Sequence, residues 1–219
     1  MNYYTESDIK KIVESVVLQY TVAQQPSVTG STVMVEASAR HVHLTNEAVE
    51  ALFGKGEKLT PKKYLSQPGE FLSEQRVKIV TYKGMLSSVA VLGPERSATQ
   101  VELSFSDAKA LDITLPINLS GNLNGAADVL LVGPCGVWQA NGAAIAAKAH
   151  VHMTLEDAAR YNVKDGDMIS VTVGINRPVI FQNVVVRVSP KFALAVHIDI
   201  DEANACALDK DTRGTILNK

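Results

Sequence analysis

Two kinds of apolar spacing run along the chain, and they predict different elements. Near the start, Ile9, Ile12, Val13, Val16, Val17 and Tyr20 recur at the three- and four-residue steps that line one face of an α-helix. Thr5 and Asp8 suit a capping box at the head of this amphipathic helix. Residues 21–31 then hold Pro26, Gly30 and several Ser, Thr and Gln, the make-up of a linker. The apolar residues are spaced along a face instead of run together, which argues against a secretion signal. Glu6, Asp8 and Glu14 with no Arg argue against a mitochondrial transit peptide. Two uses are open: a terminal helix packed on its own domain, or a detachable helix laid in a partner's groove. The linker favours the second.

Beyond residue 31 the pattern changes to short Val- and Ile-rich runs broken by turn residues. Strands are expected over 76–82, 86–92, 168–173 and 179–188, punctuated by Gly84, Gly174 and Pro178. The order repeats. His41-Val42-His43-Leu44-Thr45 returns as His150-Val151-His152-Met153-Thr154, and each is followed by an acidic, Ala-containing helix start. Gly69-Glu70 matches Gly166-Asp167, and Gly93-Pro94 matches Ser189-Pro190. Counting back five residues from Asp107 reaches Glu102, and from Glu202 it reaches His197. Many short strands with few long helical patterns predict a mainly β chain with short capping helices, folded as two tandem small β-barrels from an internal duplication. Ser, Asn and Gly cluster over 119–127, so the expected divisions are 1–31, 32–124 and 125–219.

Composition mainly excludes. With 21 Lys and Arg against 23 Asp and Glu in 219 residues, the net charge of -2 argues against a nucleic-acid partner. No apolar run approaches the ~20 residues of a membrane span. Two cysteines, Cys135 and Cys206, without CxxC spacing fit a reducing cytosol. Cys135 reads as a small turn residue, since no base or cation flanks it.

The five histidines carry more by position than by number. His-x-His on a strand puts both imidazoles on one face, where they can share a divalent metal. Taken singly, each His reads as a satisfied core residue and Glu102 as a surface carboxylate; two equivalent pairs favour the metal. Six candidate ligands, His41, His43, Glu102, His150, His152 and His197, exceed one tetrahedral shell and suit two ions with a position left open, as in catalytic zinc sites. Arg96, six residues before Glu102, could clamp a phosphate or carboxylate.

These residues carry a family resemblance. Ser38-Ala39-Arg40-His41-Val42-His43, Leu92-Gly93-Pro94-Glu95-Arg96, Thr99-Gln100-Val101-Glu102, Val132-Gly133-Pro134, His150-Val151-His152-Met153 and His197-Ile198-Asp199 with Glu202-Ala203-Asn204 resemble the phosphate propanoyltransferase family, over about residues 32–215. The family consists of phosphotransacylases of bacterial microcompartments. The resemblance implies conversion of acyl-CoA (propanoyl-CoA, or acetyl-CoA) and phosphate to acyl phosphate and CoA, reversibly, with two Zn2+ per chain between two β-barrels. His150, His152, His197 and Glu102 would hold one ion, and His41 and His43 the other. Arg96 would be catalytic and hold phosphate; Ser38, Lys63, Leu92 and Asn204 would line the CoA pocket.

The N-terminal helix, over residues 5–20, then resembles an encapsulation peptide. It would bring the enzyme to shell or cargo proteins in the microcompartment lumen of a bacterial cytoplasm. A homo-oligomer, dimeric, is expected. Asn118 and Lys148-Ala149 stand where arginines are expected. Two other functions use the same residues: a zinc-dependent (thio)esterase with this metal site, and a non-catalytic microcompartment assembly module.

Overall fold

The computed structural model describes Lys10, Val13 and residues 28–217. The amphipathic helix expected over residues 5–20 lies outside the described residues except for Lys10 and Val13, both helical and exposed. From Val28 onward the order is β1 (Val28–Ser38), β2 (His41–His43), α1 (Asn46–Phe53), β3 (Pro61–Tyr64), β4 (Phe71–Val80), β5 (Met85–Gly93), β6 (Gln100–Glu102), α2 (Phe105–Leu111) and β7 (Ile117–Asn118). It continues with β8 (Ala127–Val132), β9 (Val137–Ala147), β10 (His150–Met153), α3 (Leu155–Tyr161), β11 (Met168–Val173), β12 (Val179–Val188), β13 (Ala195–Asp199), α4 (Ile200–Ala205) and β14 (Arg213–Leu217).

The strands close into two six-stranded barrels, as the sequence pattern predicts. One runs β4-β5-β2-β6-β9-β8 and back to β4, with β3 added to β4 and β7 to β9. The other runs β1-β13-β10-β12-β11-β14 and back to β1. Each has its own apolar core, one around Val91, Leu131 and Val101, the other around Val171, Val186 and Ile216.

The pairing divides the chain differently from the expected 32–124 and 125–219. β1 belongs to the second barrel, against β13 and β14, while β8 and β9 complete the first. The repeat therefore changes at the β8–β9 turn, and each repeat sends its first strand into the other repeat's barrel. The interval from the start of β1 to His41 equals that from the start of β9 to His150, and both leading strands have 11 residues. The Ser- and Asn-rich stretch near 119–127 is only a connection between β7 and β8. Turn composition marks where the chain bends, whereas strand pairing decides which barrel it enters.

The duplicated topology is otherwise regular. β2 lies between parallel β5 and antiparallel β6, and β10 between parallel β12 and antiparallel β13. Within these ladders His41 is opposite Glu102, and His150 opposite His197. The equivalence found by counting back from the helices is a real equivalence of register.

Both His-x-His strands lead straight into a capped helix. Thr45 Oγ1 accepts from the Ala48 amide to start α1, and Thr154 Oγ1 from the Asp157 amide to start α3. Ser104 and Asp199 cap α2 and α4, and the last three helices have complete capping boxes. These caps satisfy amides that a helix leaves unbonded at its start, and fix the chain direction just after each ligand-bearing strand.

Candidate active site

Strand alternation aims the histidines. Val42 and Val151, at the centres of the two pairs, are fully buried in their own barrel cores. Since neighbouring strand residues face opposite ways, the flanking histidines leave the core and face outward. They meet across a cleft of about 860 Å³ between the barrels.

His41, His43, Glu102, His150, His152 and His197 all line this cleft. His41, His43 and Glu102 offer ligand atoms that lie within 4.8 Å of one another. On the other side the rings of His150, His152 and His197 have centroids 4.8–5.2 Å apart. Glu102 therefore stands with the first histidine pair, its Oε2 3.5 Å from His41 Nε2. Its charge also reaches His150 and favours the protonated form there.

The donor set suits a metal. His41 Nδ1 donates to the Ala39 carbonyl at 2.8 Å and His150 Nδ1 to the Lys148 carbonyl at 2.9 Å, a matched pair of contacts at equivalent positions. A carbonyl can only accept, so each contact places the ring proton on Nδ1 and leaves the Nε2 lone pair available for coordination. His43 Nδ1 and both ring nitrogens of His152 are buried without a hydrogen-bond partner. Such orphaned polar atoms are costly unless a ligand takes them up.

Electrostatics keep these rings uncharged. Burial, then His41 and Arg96, push His43 down to about 2; burial, then His197 and His150, push His152 down to about 2. Burial and His150 push His197 down to about 3, and burial lowers His150 as well. Imidazole coordinates only as the neutral base, so burial holds His43, His150, His152 and His197 in the ligand form at neutral pH.

Arg96 stands at the edge of the first group. Its amide donates to the Leu44 carbonyl at 2.8 Å, which ties the segment after the cis Gly93–Pro94 bond to the end of β2. Its guanidinium donates to Glu70 Oε1 at 2.9 Å and Ser120 Oγ at 3.2 Å. Ser38, Lys63 and Leu92 line the cleft, but Asn204 does not: it is exposed on α4. Asn118 bonds the Asn124 carbonyl, and neither it nor Lys148 and Ala149 borders the cleft. Cys135 sits in the β8–β9 turn, where its thiol bonds the Phe53 carbonyl away from the cleft.

The structure adds residues that the sequence reading missed. Buried Gln100 donates to Glu102 Oε1 at 2.6 Å and to Ser120 Oγ at 2.8 Å, and its Oε1 accepts from the Gly121 amide. It lies two residues before Glu102 on one face of β6, a period-two relation that the sequence does contain. Gln67 crosses from the first barrel to grip both backbone groups of Ala193, at 3.0 and 3.1 Å, with His197 Nε2 3.4 Å from its amide. Nothing in the local pattern signals that contact. Arg187 lines the cleft from within a Val-rich strand; a charge in such an apolar run is the signal that could have found it.

Two closed barrels facing each other across imidazoles, carboxylates and guanidinium groups define a double-barrel protein with a cleft lined by metal-ligand-type residues and arginines. Residues 34–209 match the family model described as phosphate propanoyltransferase. The chain is 46% identical over 209 residues to a phosphate propanoyltransferase of Enterococcus faecalis, covering 95% of this chain and 97% of that protein. It is 50% identical over 185 residues to one of Leptotrichia buccalis, covering 84% and 88%. With one of Alkaliphilus metalliredigens it shares 41% over 212 residues, covering 97% and 99%. The chain belongs to the phosphate propanoyltransferase family, and it is a phosphate acyltransferase.

Proposed function

We propose that the protein is a zinc-dependent phosphotransacylase that converts acyl-CoA and inorganic phosphate to acyl phosphate and CoA, reversibly, inside a bacterial microcompartment. The observation that carries the metal requirement is the set of neutral, unpartnered imidazole nitrogens converging on one cleft with Glu102. His41, His43 and Glu102 would hold one ion, and His150, His152 and His197 the second. Zinc at such donors supplies Lewis acidity, which activates a thioester carbonyl and eases departure of a thiolate.

The chain's own groups do the positioning. Arg96 holds the phosphate against the acyl carbon and offsets its charge, its guanidinium kept in place by Glu70 and Ser120. Gln100 fixes the carboxylate of Glu102 so that its free oxygen faces the cleft. Ser38, Lys63 and Leu92 contact CoA along the same wall. A phosphate oxygen bonds to the acyl carbon, the C–S bond breaks, and its electron pair leaves on sulfur. No acyl-enzyme is formed.

The spacing of Ile9 to Tyr20 and the linker after it support an encapsulation helix that binds shell or cargo proteins. Among the described residues no helix is long and apolar enough to cross a membrane. Deletion of residues 1–25 is expected to leave the kinetics unchanged and to remove the enzyme from isolated compartments. Loss of soluble protein on deletion would instead make it a packed terminal helix.

The decisive assay measures metal content together with CoA release. Release must require added phosphate, disappear after chelation and return with zinc. CoA release at the same rate without phosphate would make the protein a thioesterase.

A further inference from the structure

Arg187 differs from the other three arginines of the cleft. Arg40 is paired with Asp107 at 2.9 Å, Arg76 donates to the Ser73 and Gln75 carbonyls, and Arg96 is held by Glu70 and Ser120. Among the described residues Arg187 has no hydrogen bond and no carboxylate partner, although it is half-buried in the same cleft. A guanidinium withdrawn from water without an acceptor is unfavourable unless an anion completes it.

Its surroundings are rigid. Arg187 is opposite His152 in the β10–β12 ladder. The guanidinium carbon lies 5.7 Å from the Phe192 ring centroid, and that ring is stacked on His152 at 4.1 Å with 23° between planes. Phe192 thus supports the cation on one side and the imidazole on the other. The segment is tied down by Gln67, which grips Ala193 from the first barrel. His152, 9% exposed and without a partner for either ring nitrogen, faces the same space.

We propose that Arg187 is a second anion clamp, which binds the phosphoryl oxygens of inorganic phosphate and of the acyl phosphate from the side opposite Arg96. Phe192 is its positioning residue. The proposal rests on the phosphotransacylase reading and assigns that reaction a further substrate-binding residue. Arg96 and Arg187 come from different barrels, so the phosphoryl group is gripped only when the barrels face each other as they do here. No group is transferred to Arg187. It neutralises charge and fixes orientation.

The test is steady-state kinetics of R187Q and R187K beside the wild type, with acyl-CoA, acyl-pantetheine and phosphate varied in turn. R187Q is expected to raise KM for phosphate, and for acyl phosphate in reverse, by about ten- to a hundredfold, the cost of one charge-assisted contact. KM for acyl-CoA and the bound metal should stay at wild-type values, and R187K should recover part of the loss. An unchanged KM for phosphate overturns the proposal. So does a raised KM for acyl-CoA with none for acyl-pantetheine, because the guanidinium would then serve the phosphates of CoA. Metal loss in both variants would make it a structural support for the histidines and overturns the clamp.

A readout without turnover separates this proposal from the functional one. Inorganic phosphate should raise the Tm of the wild-type holoenzyme but not that of R187Q. Wild-type CoA release without phosphate would defeat the phosphotransacylase reading, whereas equal phosphate-induced shifts in the two proteins would defeat the clamp alone.

Discussion

At the scale of single residues, the site is governed by protons withheld. His43, His152 and His197 are pushed far below the ordinary imidazole value of 6.5, to about 2, 2 and 3, chiefly by burial. Between those values and 6.5 the unfolded chain binds protons that the folded chain refuses. Stability therefore rises with pH across that window and falls as pH drops below 6.5. Each histidine contributes up to about 1.4 kcal/mol per pH unit there. Chelated protein is expected to lose urea resistance steeply between pH 6.5 and 5; a midpoint independent of pH in that range would contradict the neutral-imidazole account. The four paired histidines were legible in the sequence because alternation and repetition are local patterns. Arg187 and Gln67 were not, since their roles come from contacts with distant chain segments. Asn204 shows the reverse, a motif residue that the fold leaves outside the cleft.

At the scale of elements, turns were more legible than their destinations. The strands expected at 168–173 and 179–188 coincide with β11 and β12, and α1 and α3 begin at the acidic, Ala-containing stretches expected to start helices after the two histidine pairs. The β8–β9 turn has a second use that no turn propensity reveals. Its Cys135 amide donates to the Leu52 carbonyl at 3.0 Å and so occupies an open carbonyl at the end of α1. Gly133 makes that approach possible, because a Cβ there would lie 2.3 Å from the Leu52 oxygen. G133A is expected to cost about 1–3 kcal/mol, as overpacking does, and to lower Tm by about 2–4 °C for each kcal/mol. The turn does not border the cleft, so KM for both substrates should hold below the new Tm. A wild-type Tm in that variant would show that the turn can move away.

At the scale of the whole molecule, the exchange of β1 and β9 sets what can fold alone. The first barrel is drawn from one continuous stretch, residues 41–147, while the second needs β1 from far upstream. A fragment of residues 149–219 leaves β13 and β14 without the strand that joins them. It is expected to be unfolded by circular dichroism, and a peptide of residues 28–40 added in trans should restore the β signal. A folded fragment without that peptide would mean that β13 and β14 can pair directly. This division was beyond the reach of the sequence pattern, because β1 and β9 would read the same in either barrel.

The exchanged strands also bear on origin. A half-length chain with the sequence of either repeat would carry one leading strand, the strand that in this fold completes the other repeat's barrel. Two copies that traded leading strands would bring their histidine pairs together across the shared boundary, as here. Fusion of two such copies end to end would join the chains without breaking a ladder. It would also free the two halves to diverge, as the carboxylate of Glu102 and the imidazole of His197 have at matching positions. The exchange of leading strands within one chain is thus the pairing that two half-length copies would make in a strand-swapped dimer.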